Sequence, residues 1–139
     1  MLKTFAKGGV HPPENKISAH QKLEKLPLPK TVFIPISQHI GAPAVPVVEK
    51  NSEVKTGQVI AKSGGFVSAN IHSSVTGKVI KIDDVLDSTG YKQKCIVIES
   101  TGDEWVEGVD LTDTLVTEIN DSPEEIINKI NAAGIVGLG

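Results

Sequence analysis

Val47-Val48-Glu49-Lys50-Asn51-Ser52-Glu53-Val54-Lys55-Thr56-Gly57-Gln58-Val59-Ile60-Ala61 decides how this chain folds. A β-branched run reaches a polar turn, Val54 returns to the core, and Gly57-Gln58 leads into a second β-branched run. Shortly afterwards, Ile71-His72-Ser73-Ser74-Val75-Thr76-Gly77-Lys78-Val79-Ile80 repeats the same logic. Strands are expected at Val45 to Glu49, Val59 to Lys62, Ile71 to Ser73, Gly77 to Ile82 and Cys95 to Glu99. Gly57 and Gly77 are placed in matching turns of the two halves. Segments this short and closely spaced suit a small sandwich or barrel, and leave no room for βαβ crossovers.

Two such halves resemble the biotinyl and lipoyl carrier domains, which are barrel-sandwich hybrids. In a carrier, a modifiable lysine stands in a tight turn between the halves, flanked by methionines or by an acidic residue and alanine. Here that place reads Ala61-Lys62-Ser63-Gly64-Gly65-Phe66-Val67-Ser68-Ala69-Asn70. Lys62 has none of those neighbours and lies beside a strand end. The resemblance therefore implies the carrier fold without the carrier chemistry.

Upstream, Thr31-Val32-Phe33-Ile34-Pro35-Ile36 reads as a further strand, and Pro35 assigns it to an edge or a bulge. Seven of the eight prolines precede residue 50, so residues 1–30 are expected to form an extended arm lying on something, with at most one helical turn at Ser18 to Glu24. Downstream, residues 101–139 read as an acidic linker and a helix. Ser122 caps, Pro123 fits the first helical position, and Glu125 completes a capping box. Ile126, Ile127, Ile130 and Ala133 follow at helical spacing, and Gly134 stops the helix. Ile135-Val136-Gly137-Leu138-Gly139 then reads as a strand entering a glycine loop, so the chain is expected to be part of a larger protein.

Composition narrows the function classes. With 39% hydrophobic and 22% charged residues over 139 positions, the chain suits one ordinary soluble domain. The first nine residues lack the apolar core of a secretory signal, and no run is long enough to span a membrane. All fourteen basic residues are lysine, and the pI is about 5.8. Arginine's planar fork grips phosphates and guanine edges, so its absence argues against nucleic acid as a partner. Charge is also segregated. Residues 1–50 carry seven lysines against three acids, whereas Lys129 alone faces nine acids from residue 100 onward. That pattern suits a partner surface or a solvated face.

Three further stretches carry a more specific resemblance. They are Lys7-Gly8-Gly9-Val10-His11-Pro12-Pro13-Glu14-Asn15-Lys16, Leu26-Pro27-Leu28-Pro29-Lys30, and Ile34-Pro35-Ile36-Ser37-Gln38-His39-Ile40-Gly41-Ala42-Pro43-Ala44. Together with the half-motif after Val47 and the terminal Ala133-Gly134-Ile135-Val136-Gly137-Leu138-Gly139, they resemble the C subunit of the Rnf electron-transport complex. The resemblance covers essentially the whole chain, in order. It implies a mainly β barrel-sandwich hybrid at residues 31–100, a non-catalytic assembly and docking module at the N-terminus of a subunit of a membrane-bound ion-translocating ferredoxin:NAD oxidoreductase. It implies a following flavin- and NADH-binding domain, with FMN, NADH and two 4Fe-4S clusters in the parent and no cofactor in this piece. Partners would be that domain and the other subunits, at the cytoplasmic side of the membrane. Gly137 and Gly139 match the opening of the family's flavin/NADH loop, which is otherwise incomplete here. The alternatives are a lipoyl- or biotinyl-type carrier and a β-rich adaptor.

No catalytic or metal-binding set is expected from the remaining polar residues. Cluster binding needs closely spaced cysteines, and Cys95 stands alone, leading the apolar Ile96-Val97-Ile98 as an inert buried thiol. His11, His20, His39 and His72 are scattered, without zinc spacing. His39 is the best functional outsider, as a hydrogen-bond partner of the following domain. Asp83, Asp84 and Asp87 read as a solvated acidic turn, and Trp105 as packing where the acidic segment meets the barrel.

Overall fold

The computed structural model describes residues 12–87 and 89–137. Among these described residues, seven strands form two sheets. The first takes the order β1-β7-β6-β3, from β1 (Thr31–Pro35), β3 (Glu53–Val54), β6 (Thr76–Leu86) and β7 (Lys92–Gly102). The second takes the order β2-β4-β5, from β2 (Val45–Pro46), β4 (Val59–Lys62) and β5 (Ile71–His72). Every pairing between these strands is antiparallel. Both sheets feed one core, in which Val54, Ile60, Ile71, Val79, Ile96 and Ile98 are buried together. The mainly β barrel-sandwich fold expected from the repeated half-motif is present.

The strand positions follow from what each residue can bury. β7 lies between β1 and β6, and its Cys95, Ile96, Val97 and Ile98 are all buried, so both of its faces are covered. Pro35 and Pro46 lie in β1 and β2, the edge strands of their sheets, where a missing amide breaks no ladder on the open side. Thr56 and Ser73 are buried polar residues with partners: Thr56 Oγ1 donates to Asp103 Oδ1 at 3.2 Å, and Ser73 Oγ donates to the Val75 carbonyl at 2.6 Å.

The β6–β7 hairpin is longer than the sequence suggests. Asp83 and Asp84 belong to β6, not to a turn, and β7 begins at Lys92. Aspartate is depleted in strands, so the polar run looks like a strand end. Three local interactions override that preference. Asp84 faces Lys94 across the ladder, Lys81 Nζ meets Asp83 Oδ2 at 3.0 Å, and Asp87 organises the connection. Asp87 Oδ1 accepts from the Thr89 and Tyr91 amides, and its Oδ2 accepts from Gln93 Nε2 at 2.7 Å.

The two glycines are not equivalent. Gly57 has φ of +81° in the turn before β4, as a matching turn requires. Gly77 lies inside β6 opposite Val54, beside a register shift, and a Cβ there would sit 2.1 Å from the Glu99 carbonyl oxygen. It is needed for a close backbone approach, not for a left-handed turn.

The flanking segments differ from the sandwich. Residues 12–30 are exposed throughout, and the described part of the arm is joined to the sandwich at its end, where the Ser100 amide donates to the Lys30 carbonyl. Its turn falls at 17–20, with Asn15 and His20 at positive φ, instead of a helical turn at Ser18 to Glu24. The helix α1 (Pro123–Ala132) starts as expected: Ser122 and Glu125 form the capping box, and Gly134 has φ of +68°.

Candidate docking site

At one end of the sandwich, residues 37–44 and 63–70 are tied into a single unit. The Ala42 amide donates to the Val67 carbonyl at 2.9 Å, and Ser68 Oγ donates to the Ala42 carbonyl at 2.9 Å. The Gly64 amide reaches Ser68 Oγ, and the Ser63 amide reaches Asn70 Oδ1. Gly41 (φ +114°) and Gly64 allow this approach, since a Cβ on either would strike a carbonyl oxygen of the other loop. His39 completes the tie. Its Nε2 accepts from the Ala69 amide at 3.0 Å, leaving Nδ1–H to donate to the Ile40 carbonyl at 3.0 Å. Both ring nitrogens are therefore committed within this domain, so His39 is a latch between loops and has no ring nitrogen left for another domain.

What the latched loops display is apolar. Phe66 is fully exposed, Ile40 is 93% exposed, and Val67 is more than half exposed. Beside them, Gln38, Ser68, Val136 and Gly137 help to line a cleft of about 540 Å³. The route of the chain to this cleft is set by Gly134, whose backbone lies close enough to the Asn70 carbonyl that a Cβ would reach within 2.3 Å. Fixed backbone presenting large apolar side chains loses little further entropy on association. The arrangement suits contact with another protein surface.

The other sequence candidates disperse. Gly137 lines the cleft and is exposed, while Gly139 lies outside the described residues. Lys62 is exposed at the end of β4, paired with Val45, and does not stand at a turn tip. Cys95 is buried, and burial pushes its thiol pKa up, with the charges of Asp87 and Asp84 adding to the shift. A lone thiol of this kind gives an iron–sulfur cluster no donor set here, and among the described residues no group of three or more His, Cys, Asp or Glu converges. Trp105 packs as the sequence implies. The acidic segment pairs with Thr56, and the indole covers Gly57, where a Cβ would lie 3.0 Å from its Cε3. Phe66 and Ile40 escape a sequence reading because loops of glycine, serine and asparagine show no hydrophobic period. The one signal is an aromatic residue stranded inside such a loop.

Residues 3–103 match the RnfC barrel sandwich hybrid domain family. The chain belongs to that family. The C subunit of the proton-translocating ferredoxin:NAD(+) oxidoreductase complex of Clostridium ljungdahlii is 51% identical over 141 residues, covering 100% of this chain and 30% of that protein. The C subunit of the Na(+)-translocating ferredoxin:NAD(+) oxidoreductase complex of Acetobacterium woodii is 39% identical, over 96% of this chain and 30% of its own length. The C subunit of the ion-translocating oxidoreductase complex of Rhodobacter capsulatus is 38% identical, over 99% of this chain and 27% of its own length. The RnfC-type chain described here thus spans less than a third of these relatives. Among the described residues, no helix is long and apolar enough to cross a membrane.

Proposed function

We propose that this RnfC-type domain is a non-catalytic assembly and docking module of an ion-translocating ferredoxin:NAD oxidoreductase. The observation that carries the reading is the latched, apolar end of the sandwich at Ile40, Phe66 and Val67. Its partner is a flavin- and NADH-binding part of the same subunit, with Gly137 and Gly139 opening that part's loop. Other subunits of the complex would contact the remaining surface, at the cytoplasmic side of the membrane. FMN, NADH and two 4Fe-4S clusters belong to the rest of the subunit in this reading. Support comes from relatives that are more than three times as long and are named as subunits of such complexes.

The test places Ile40→Ser and Phe66→Ser in a full-length RnfC-type subunit that carries this domain. Both side chains are exposed, so the fold should tolerate the change, while assembly of the complex and its NAD-linked turnover should fall together. Normal assembly of the double variant would remove the docking reading. The carrier alternative is checked on the same samples by intact mass, because a lipoyl or biotinyl group on Lys62 would replace docking with carriage.

A further inference from the structure

Two exposed segments of opposite charge flank the sandwich. Residues 12–30 carry Lys16, Lys22, Lys25 and Lys30 against Glu14 and Glu24, with Ile17, Leu23 and Leu26 at least 82% exposed. Residues 103–125 carry nine acids and no lysine. Within them Leu111, Leu115, Val116 and Ile119 are 59–82% exposed. Among the described residues, Lys22 and Lys25 meet no carboxylate, and Glu107, Asp110, Asp113 and Glu118 meet no lysine.

The two segments leave the sheet side by side. The Ser100 amide donates to the Lys30 carbonyl at 2.9 Å, which joins the end of the arm to the start of the acidic run. The acidic run is then held at its start, and the end of α1 comes back beside it. Trp105 and Val106 are pinned to Thr56 and Gly57, and Val109 lines the same hollow as Ala133 at the end of α1. We propose that the basic arm folds back onto residues 107–121 of its own chain, pairing lysines with carboxylates and aliphatic side chains with each other. The nineteen residues of the arm reach at most ~65 Å when extended, more than the span of a domain this size. Tethering raises the effective concentration of the arm to the millimolar range, which favours its own chain over a second copy. The acidic run repels phosphate-bearing surfaces, so neither a lipid headgroup nor nucleic acid competes for it.

Zero-length carbodiimide coupling of the chain, followed by peptide mass spectrometry, reads the contact directly. The expected products join Lys22 or Lys25 to Glu107, Asp110, Asp113 or Glu118 within monomers. Their yield should drop several-fold in about 1 M salt, where screening acts within ~3 Å. Mixing isotopically heavy and light chains separates products within one chain from products between copies. Amide exchange supplies an independent readout. Protection at Leu115 to Ile119 should be lost in Lys22→Glu/Lys25→Glu and restored when Asp113→Lys/Glu118→Lys is added. Slow exchange at Ile96 to Ile98 in every variant shows that the sandwich remains folded. Absence of these couplings, heavy–light products alone, or reversal without rescue would each overturn the proposal.

Discussion

Ile98 and Ile127 are the same side chain put to opposite uses. Ile98, in β7, has no exposed surface, whereas Ile127, in α1, is 56% exposed, and no residue of that helix is buried. The sandwich is held by contacts between residues far apart in sequence, drawn from two sheets. The helix is held by its own ends. Ser122 and Glu125 satisfy amides at the start, Glu124 and Glu125 complement the dipole there, and Lys129 sits in the last turn. A core of this kind fails when a single buried side chain is cut back. A helix of this kind is indifferent to most of its side chains and sensitive to its caps.

The largest expected effects test that contrast directly. Ile98→Ala should cost about 2–5 kcal/mol, because the vacated space lies between packed sheets. Ile127→Ala should change global stability by no more than about 0.5 kcal/mol. Denaturant melts of the two variants, followed by a β-sheet signal, measure both. Comparable losses would mean that the helix belongs to the core after all.

Gly77 and Gly57 sharpen the comparison within the sandwich. Gly77→Ala forces a methyl group toward the Glu99 carbonyl oxygen and should cost about 3 kcal/mol, the upper part of the range for overpacking. Gly57→Ala keeps a left-handed backbone that disfavours any Cβ, and should cost about 1–2 kcal/mol. Trp105 lies over Gly57, so its fluorescence should shift in the Gly57 variant and stay unchanged in the other.

The same pair shows how much the sequence can reveal. Val54, Ile60, Ile71 and Val79 are assignable to the core from alternation and turn spacing, because burial repeats every second residue in a half-buried strand. The capping box is equally visible, since it is written in four consecutive residues. Gly77 reads as a turn residue because sequence shows that glycine is present and not which backbone approaches it. Asp83 and Asp84 look like loop residues because their lysine partners are local to the folded ladder. The display of Ile40 and Phe66 depends on hydrogen bonds between loops some thirty residues apart, such as that from Ala69 to His39, which no local pattern encodes.

The smaller effects concern the helix caps. Ser122→Ala removes the hydroxyl that accepts from the Glu125 amide, and should cost α1 about 1 kcal/mol. Amide exchange should show faster opening across residues 123–132 with no change in β6 or β7.

The smallest expected effect is one of pH, and Glu125 sets its sign. The Ser122 amide donates to the Glu125 carboxylate at 2.7 Å and the Ser122 hydroxyl at 2.8 Å, holding its pKa below the ordinary glutamate value of 4.5. The unfolded chain therefore binds the proton at a higher pH than the helix does, and stability rises with pH across that interval. The contribution is fully present above the ordinary glutamate range. It fades as pH falls through that range to the lower pKa of the folded form, where the protonated carboxyl accepts more weakly. Helix chemical shifts at residues 123–132, followed from pH 6 to pH 3, should drift toward coil while those of Ile96 to Ile98 hold. In Glu125→Gln that drift should shrink, because the amide cannot titrate. A drift of equal size in the variant would show that the Glu125 carboxylate does not set the pH response of the helix.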